Sequence, residues 1–261
     1  MTIVLIGVQF WQGNSSPAAT LSEIEARGHL IVAVKDNLPP MGFRDRNGEL
    51  QGLEIDLARE LAERILGDRH ALVLQPVSNR DRLQVVMDGE VDLAIAGVTA
   101  TAARSRVVDF SLPYYFDGVT FVVSDAQKHQ PEDFANATIA AIDGSSTVAA
   151  VRYFISNPNL VAADSYEAAK ALLDAGEVDA FAGDTTVLAG WVREFPEYRL
   201  VPFQLSVEPL CVVMSKGLQY DDLRQTVRGT IAQWRSRGWL REKAAEWGLP
   251  VPGQEEVIFE R

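Results

Sequence analysis

An α/β protein built from two similar halves, each with a mainly parallel sheet, is the fold class this sequence predicts. Three observations carry it. Short apolar runs bounded by turn residues alternate with helix-patterned segments along the chain, the pattern of strands joined through helices. Gly89-Glu90-Val91-Asp92 recurs as Gly176-Glu177-Val178-Asp179, each time after a helix-patterned run and before an apolar strand. The 261 residues suffice for one large or two modest domains.

Taken in order, Leu21 to Arg27 reads as a helix, and strand LIVAVKD then ends in the turn-rich Asn37-Leu38-Pro39-Pro40. Asn47-Gly48 is a hairpin signal. Leu53, Leu57, Leu61 and Ile65 recur every four residues with Glu54, Asp56, Arg59 and Glu60 between them, which predicts an amphipathic helix lying on a sheet. Strand ALVLQPV follows, then a helix over about Arg80 to Met87 closed by Gly89. The chain changes halves near Tyr115 to Gly118 and opens a second sheet at TIAAID. Gly144-Ser145-Ser146-Thr147 leads into helix VAAVRYFI, and Asp164 with Glu167 stand in capping-box spacing before the next helix. Leu200 to Val213 reads as a strand and a return crossover near Glu208 to Leu210. The closing helices carry Trp234, Trp239 and Trp247 as core anchors.

Composition narrows the function classes. With 47% hydrophobic and 23% charged residues the chain is ordinary globular material, and a net charge of -12 without a basic cluster argues against nucleic acid or an anionic membrane as partner. The single cysteine, Cys211, lies in the apolar run LCVVM and reads as a buried small hydrophobe, so no internal disulfide is expected. His29, His70 and His129 lack metal-ligand spacing. No apolar run approaches the roughly 18 residues of a membrane span. The apolar Met1 to Trp11 and the small polar run Asn14 to Ala19 are similar to the core and cleavage zone of a secretory signal, but no lysine or arginine precedes them.

The candidate site lies at the ends of the two repeated strands. Counting on equally from the first glycine of each repeat reaches Gly97 in one half and Asp184 in the other, where open α/β sheets keep their ligands. Thr99 and Arg104 follow Gly97, and the guanidinium fork fits a carboxylate. An opposed arginine and aspartate are what a free amino acid's carboxylate and ammonium require. Asp184 also reads as the N-cap of a helix over Thr185 to Val192, which is compatible with ligand binding. The free amides at the start of VAAVRYFI suit an anionic group. No nucleophile and base set, phosphate loop or metal constellation is visible, so no catalytic residue, metal or cofactor is assigned.

GVTATAARSRVVDFS with Pro113-Tyr114-Tyr115, GLEIDLARELA, AIDGSST, GEVDAFAGD and TIAQWRSRGWLREKAAEWG together resemble the family 3 solute-binding proteins, the periplasmic amino-acid receptors of ABC importers. The resemblance runs from about Leu30 to Leu249. It implies a two-lobed periplasmic-binding-protein fold of type II: residues 1–22 as extension or signal remnant, 23–116 and 209–261 as the first lobe, and 117–208 as the second. By position, Arg104, Thr99 and the Ser146 amide would hold the ligand α-carboxylate, and Asp184, the Gly97 carbonyl and Thr99 the α-ammonium. Lys35 and Arg82 stand where glutamate and aspartate receptors of the family place basic residues, with Leu38 and Leu53 replacing the usual aromatics. Without the family, Lys35 reads as a snorkelling surface lysine and Arg82 as a helix-face arginine paired with Asp81 or Glu90. Counting Arg104, Lys35 and Arg82 against Asp184 leaves two surplus positive charges, favouring an acidic ligand over glutamine. A monomer, periplasmic and partnered by a membrane permease, is implied. A dehydratase on the same fold and a receptor sensor domain are the rival readings.

Overall fold

In the computed structural model, residues 18–124 and 130–249 are described. The signal-like Met1 to Trp11, His129 and the end of the first lobe beyond Leu249 lie outside them. Helix α1 (Leu21–Arg27) is held by a Thr20–Glu23 capping box. It leads into β1 (Leu30–Val34). A small antiparallel sheet follows, of β2 (Asn37–Leu38), β3 (Gly42–Arg44) and β4 (Leu50–Gln51), with the Asn47-Gly48 turn between its last two strands. Next come α2 (Leu53–Leu66), β5 (Leu72–Pro76), α3 (Gln84–Met87), β6 (Leu93–Ile95) and the long β7 (Asp109–Asp117).

Only Gly118 separates β7 from β8 (Val119–Val123), the first strand of the second sheet. That sheet is completed by β9 (Thr138–Ile142), α4 (Thr147–Phe154), β10 (Asn159–Ala163), α5 (Tyr166–Asp174), β11 (Ala180–Asp184), α6 (Thr185–Glu194) and β12 (Arg199–Leu200) with their helices. The chain returns on β13 (Glu208–Met214) and closes with α7 (Asp221–Ser236) and α8 (Trp239–Glu246).

The two sheets run β5-β1-β6-β13-β7 and β10-β9-β11-β8-β12. Both are mixed rather than mainly parallel. The strands joined through helices pair in parallel, β5 with β1 with β6 and β10 with β9 with β11. The strands that pass directly between the halves enter antiparallel, β13 on β6 and β7 and β8 on β11 and β12. No helix crossover precedes them, and only such a crossover forces parallel pairing.

Each sheet has its own apolar layers. Leu30, Val32, Ile55, Leu61 and Ile231 lie in the first core, with Trp234, Trp239 and Trp247 packed on it; Phe121, Phe134 and Ile139 lie in the second. Cys211 is buried.

Two local expectations fail. Residues 80–83 form turns and α3 covers only Gln84–Met87, because the Ser78 hydroxyl donates to Asp81 at 2.6 Å and accepts the Asp81 amide, tying that stretch into a local turn. The N-cap of α5 is Ser165, whose hydroxyl accepts the Ala168 amide, rather than the box at Asp164 and Glu167. Among the described residues no helix is long and apolar enough to cross a membrane.

Candidate functional site

The two repeats are built alike. Gly89 and Gly176 end their helices with positive φ. Asp92 then donates its amide to the Ile31 carbonyl and takes the Ile31 N–H on its carboxylate at 2.7 Å; Asp179 does the same with Thr138, at 2.8 Å. Each aspartate thereby locks the repeated strand to the first parallel strand of its sheet, so β6 and β11 end at matching places.

Beyond β6 the backbone turns at Gly97, whose φ of +62 suits glycine. Its N–H donates to Glu54 at 2.7 Å and its carbonyl accepts from Arg82 at 2.7 Å. Thr99 is buried and its hydroxyl shares a 3.0 Å hydrogen bond with that of Ser146, on the other half. Arg104 opens a 3-10 turn and spans the same gap, donating to the Thr99 carbonyl and to the Gly144 carbonyl, each at 3.0 Å. Ser146 is the N-cap of α4, and its hydroxyl makes no capping bond.

Facing this edge, Asp184 ends β11 and is the N-cap of α6, yet its side chain makes no capping bond either. Its carboxylate therefore stays available to the cleft. Burial, and then the neighbouring Asp117, push its pKa up to about 8. Burial, and then Arg82, lower that of Arg104 to about 10. Asp184 lines a cavity between the halves, whereas Thr99 and Arg104, hydrogen-bonded to Ser146 and Gly144, are not among its lining residues. The cavity there is about 10 Å³, room for about one water, and the halves must part to admit anything larger. Leu38, Arg82 and Gly97 line it from one side and Ser146, Tyr166 and Asp184 from the other.

The residues expected beyond the clamp divide. Leu38 and Arg82 line the cavity. Lys35 and Leu53 are not among its lining residues: the Lys35 ammonium donates to the Val77 carbonyl at 2.9 Å, and Leu53 belongs to the apolar core. Neither basic residue is a surface group, each being 4% exposed. Arg82 pairs with neither Asp81 nor Glu90; its Nη1 donates to the carbonyls of Ala96 and Gly97, both at 2.7 Å, and its buried Nε has no partner.

Glu54, which the leucine stripe places on the polar side of α2, is instead fully buried. Spacing held the signal, since positions 54, 58, 61 and 65 share one face of a helix. The surplus of two positive charges omitted it. Two further acidic residues, Asp117 and Glu208, stand opposite each other in the backbone register of β7 and β13, and after burial both raise the pKa of Asp184. Asp117 accepts the Gly118 amide and the Thr186 hydroxyl and amide, while burial raises its pKa to about 6. Among the described residues no cluster of histidine, cysteine and carboxylates could hold a metal.

Residues 30–250 match the family of bacterial extracellular solute-binding proteins, family 3. The chain belongs to this family. Among its relatives, the glutamine-binding protein of Geobacillus stearothermophilus is 32% identical over 78% of this chain and 79% of its own. The glutamate-binding protein of Corynebacterium glutamicum is 28% identical over 82% and 76%. The solute receptor for L-cysteine of Neisseria gonorrhoeae superposes with a TM-score of 0.80 at 26% identity, covering 90% of this chain and 96% of that one. An ancestral amino acid-binding protein, precursor of a cyclohexadienyl dehydratase, superposes at 0.77 with 27% identity, over 88% and 99%. Two-lobed solute-binding architecture thus accounts for the paired sheets, and membership points to binding rather than turnover.

Proposed function

We propose that this chain is an extracytoplasmic receptor for a free amino acid, captured by closure of two lobes and delivered to the membrane subunits of an ABC importer. The observation that carries the reading is the pairing across the cleft. Asp184, unused as a cap, ends one strand, and the Arg104 fork with Thr99 stands at the other. A zwitterion complements both. Arg104, Thr99 and the Ser146 amide hold its carboxylate; Asp184, the Gly97 carbonyl and Thr99 hold its ammonium. The lobes are residues 23–116 with 209–261, and 117–208. They hinge where β7 passes into β8 and where β13 begins. A ligand that completes its contacts only when the lobes meet favours the closed state by that difference in affinity, and hinge closure is general among periplasmic binding proteins.

The favoured ligand is glutamate or aspartate. Arg82 lines the cavity with an unpaired Nε, Lys35 adds charge behind it, and a distal carboxylate satisfies both. Glutamine is the second reading, favoured by the buried Glu54 carboxylate, which offsets one of those charges. Calorimetric titration of ligand-stripped protein against the twenty amino acids tests this. Glutamate or aspartate should bind tightest, and Lys35→Ala or Arg82→Ala should shift preference towards glutamine. Unchanged glutamate affinity in both variants removes the acidic ligand; no binding by any amino acid, or turnover of a prephenate-like acid, removes the reading itself. Sedimentation should show a monomer with and without ligand.

A further inference from the structure

The geometry points to Glu54 as a specificity-determining residue: a buried counter-charge that sets the side-chain pocket at one net positive charge and so fixes how strongly it prefers a carboxylate over an amide. This deepens the receptor reading and rests on it.

Glu54 occupies the second position of α2, directly beneath the turn at Gly97. One carboxylate oxygen accepts the Gly97 amide at 2.7 Å and the Tyr114 hydroxyl at 2.5 Å, while the other is buried without a partner. Burial raises the pKa of Glu54, and the Tyr114 and Gly97 hydrogen bonds and then the charges of Arg82 and Lys35 oppose that rise and favour the anion. The guanidinium holds the carbonyls of Ala96 and Gly97, so Glu54 and Arg82 grip the same turn, one by its N–H and the other by its C=O. Burying two cations side by side is costly unless an anion joins them. Burial and then Arg82 lower the proton affinity of Lys35, burial lowers that of Arg82, and Glu54 opposes the shift in both, after Asp184 in the case of Arg82. Two cations and one anion leave a single positive charge on this side of the cavity, where Arg82 alone of the three lines it and Asp184 faces it from the other half. One distal carboxylate neutralises it, whereas an amide leaves it standing.

A structural anchor would need only an acceptor for Gly97 and Tyr114; a counter-charge needs the negative charge itself. Glu54→Gln separates the two roles, keeping an acceptor oxygen and removing the charge. The readout is the ratio of glutamate to glutamine affinity by calorimetry. Removing the anion should raise that ratio about tenfold or more, the interaction of charges separated by roughly 12 Å or less at an effective dielectric near 20. Lys35→Gln should lower it, and the double variant Glu54→Gln with Lys35→Gln should return it to the wild-type value. If Glu54→Gln does not fold, the double variant against Lys35→Gln alone makes the same comparison. A ratio that Glu54→Gln leaves unchanged, or that the double variant fails to restore, overturns the counter-charge while the receptor reading stands. Wild-type protein that binds neither amino acid overturns both.

Discussion

The two repeated strands share a framework and differ in what they present at their tips. Asp92 and Asp179 make the same pair of backbone bonds to the first strand of their sheets, and the preceding glycines close their helices in the same left-handed conformation. Past the strand ends the likeness stops. One tip turns at Gly97 and offers Thr99 and Arg104, while the other runs straight into α6 and offers the carboxylate of Asp184. A shared frame brings the tips to equivalent places, and in the proposed receptor the difference between them is what lets the facing halves address opposite charges.

Breaking either tip should have the largest effect. Arg104→Ala and Asp184→Asn should each weaken binding of every amino acid by about 100-fold or more, the cost of orphaning a desolvated charge being about 3 kcal/mol or more, measured by calorimetry. Retained affinity in either variant would mean that the two tips do not grip one ligand.

Breaking the frame should cost stability and do so unequally. Asp92 is buried and also pairs with Arg27, so Asp92→Ala should cost about 1–3 kcal/mol by leaving the Ile31 N–H unpaired. Asp179 is exposed and its replacement should cost less, as denaturant titration would show.

Two glycines sharpen the contrast further. Alanine at Gly97 or at Gly176 meets a positive φ, of +62 or +67, a strain of about 1–2 kcal/mol in each. Only at Gly97 would the new methyl group touch cleft residues, the Arg82 guanidinium and Leu38 at 3.5 Å. Gly97→Ala should therefore lower affinity as well as stability, whereas Gly176→Ala should lower stability alone.

The remaining effect concerns the proton. Burial raises the Asp184 carboxyl to about 8, above its unfolded value, so between about pH 4 and pH 8 the folded chain holds a proton the unfolded chain has lost. Its contribution is complete below that window and disappears as pH rises through it; Asp117, raised to about 6, adds the same trend lower down. The melting temperature of ligand-free protein should fall by a few degrees from pH 5 to pH 8. Asp184→Asn should flatten the upper part of that fall.

How much of this was legible beforehand follows from the range over which each residue acts. The repeat, the α2 stripe and the glycine turn depend on neighbours a few positions away, so spacing alone discloses them. The Asp164 and Glu167 box misled because Ser165, one position on, competes for the same helix start and wins it. Glu54 escaped because its charge argued for water while its helical position placed it inward, and only partners 43 and 60 residues away make that burial tolerable.

By itself the chain's pattern determined the two-part α/β plan and the repeated strands, because hydrophobic period and turn chemistry are local. The packed molecule decided the mixed sheets, the turning of Lys35 towards Val77 and the burial of Glu54 against Gly97 and Tyr114. Those outcomes depend on which distant groups meet in a medium too poor in water to leave any charge alone.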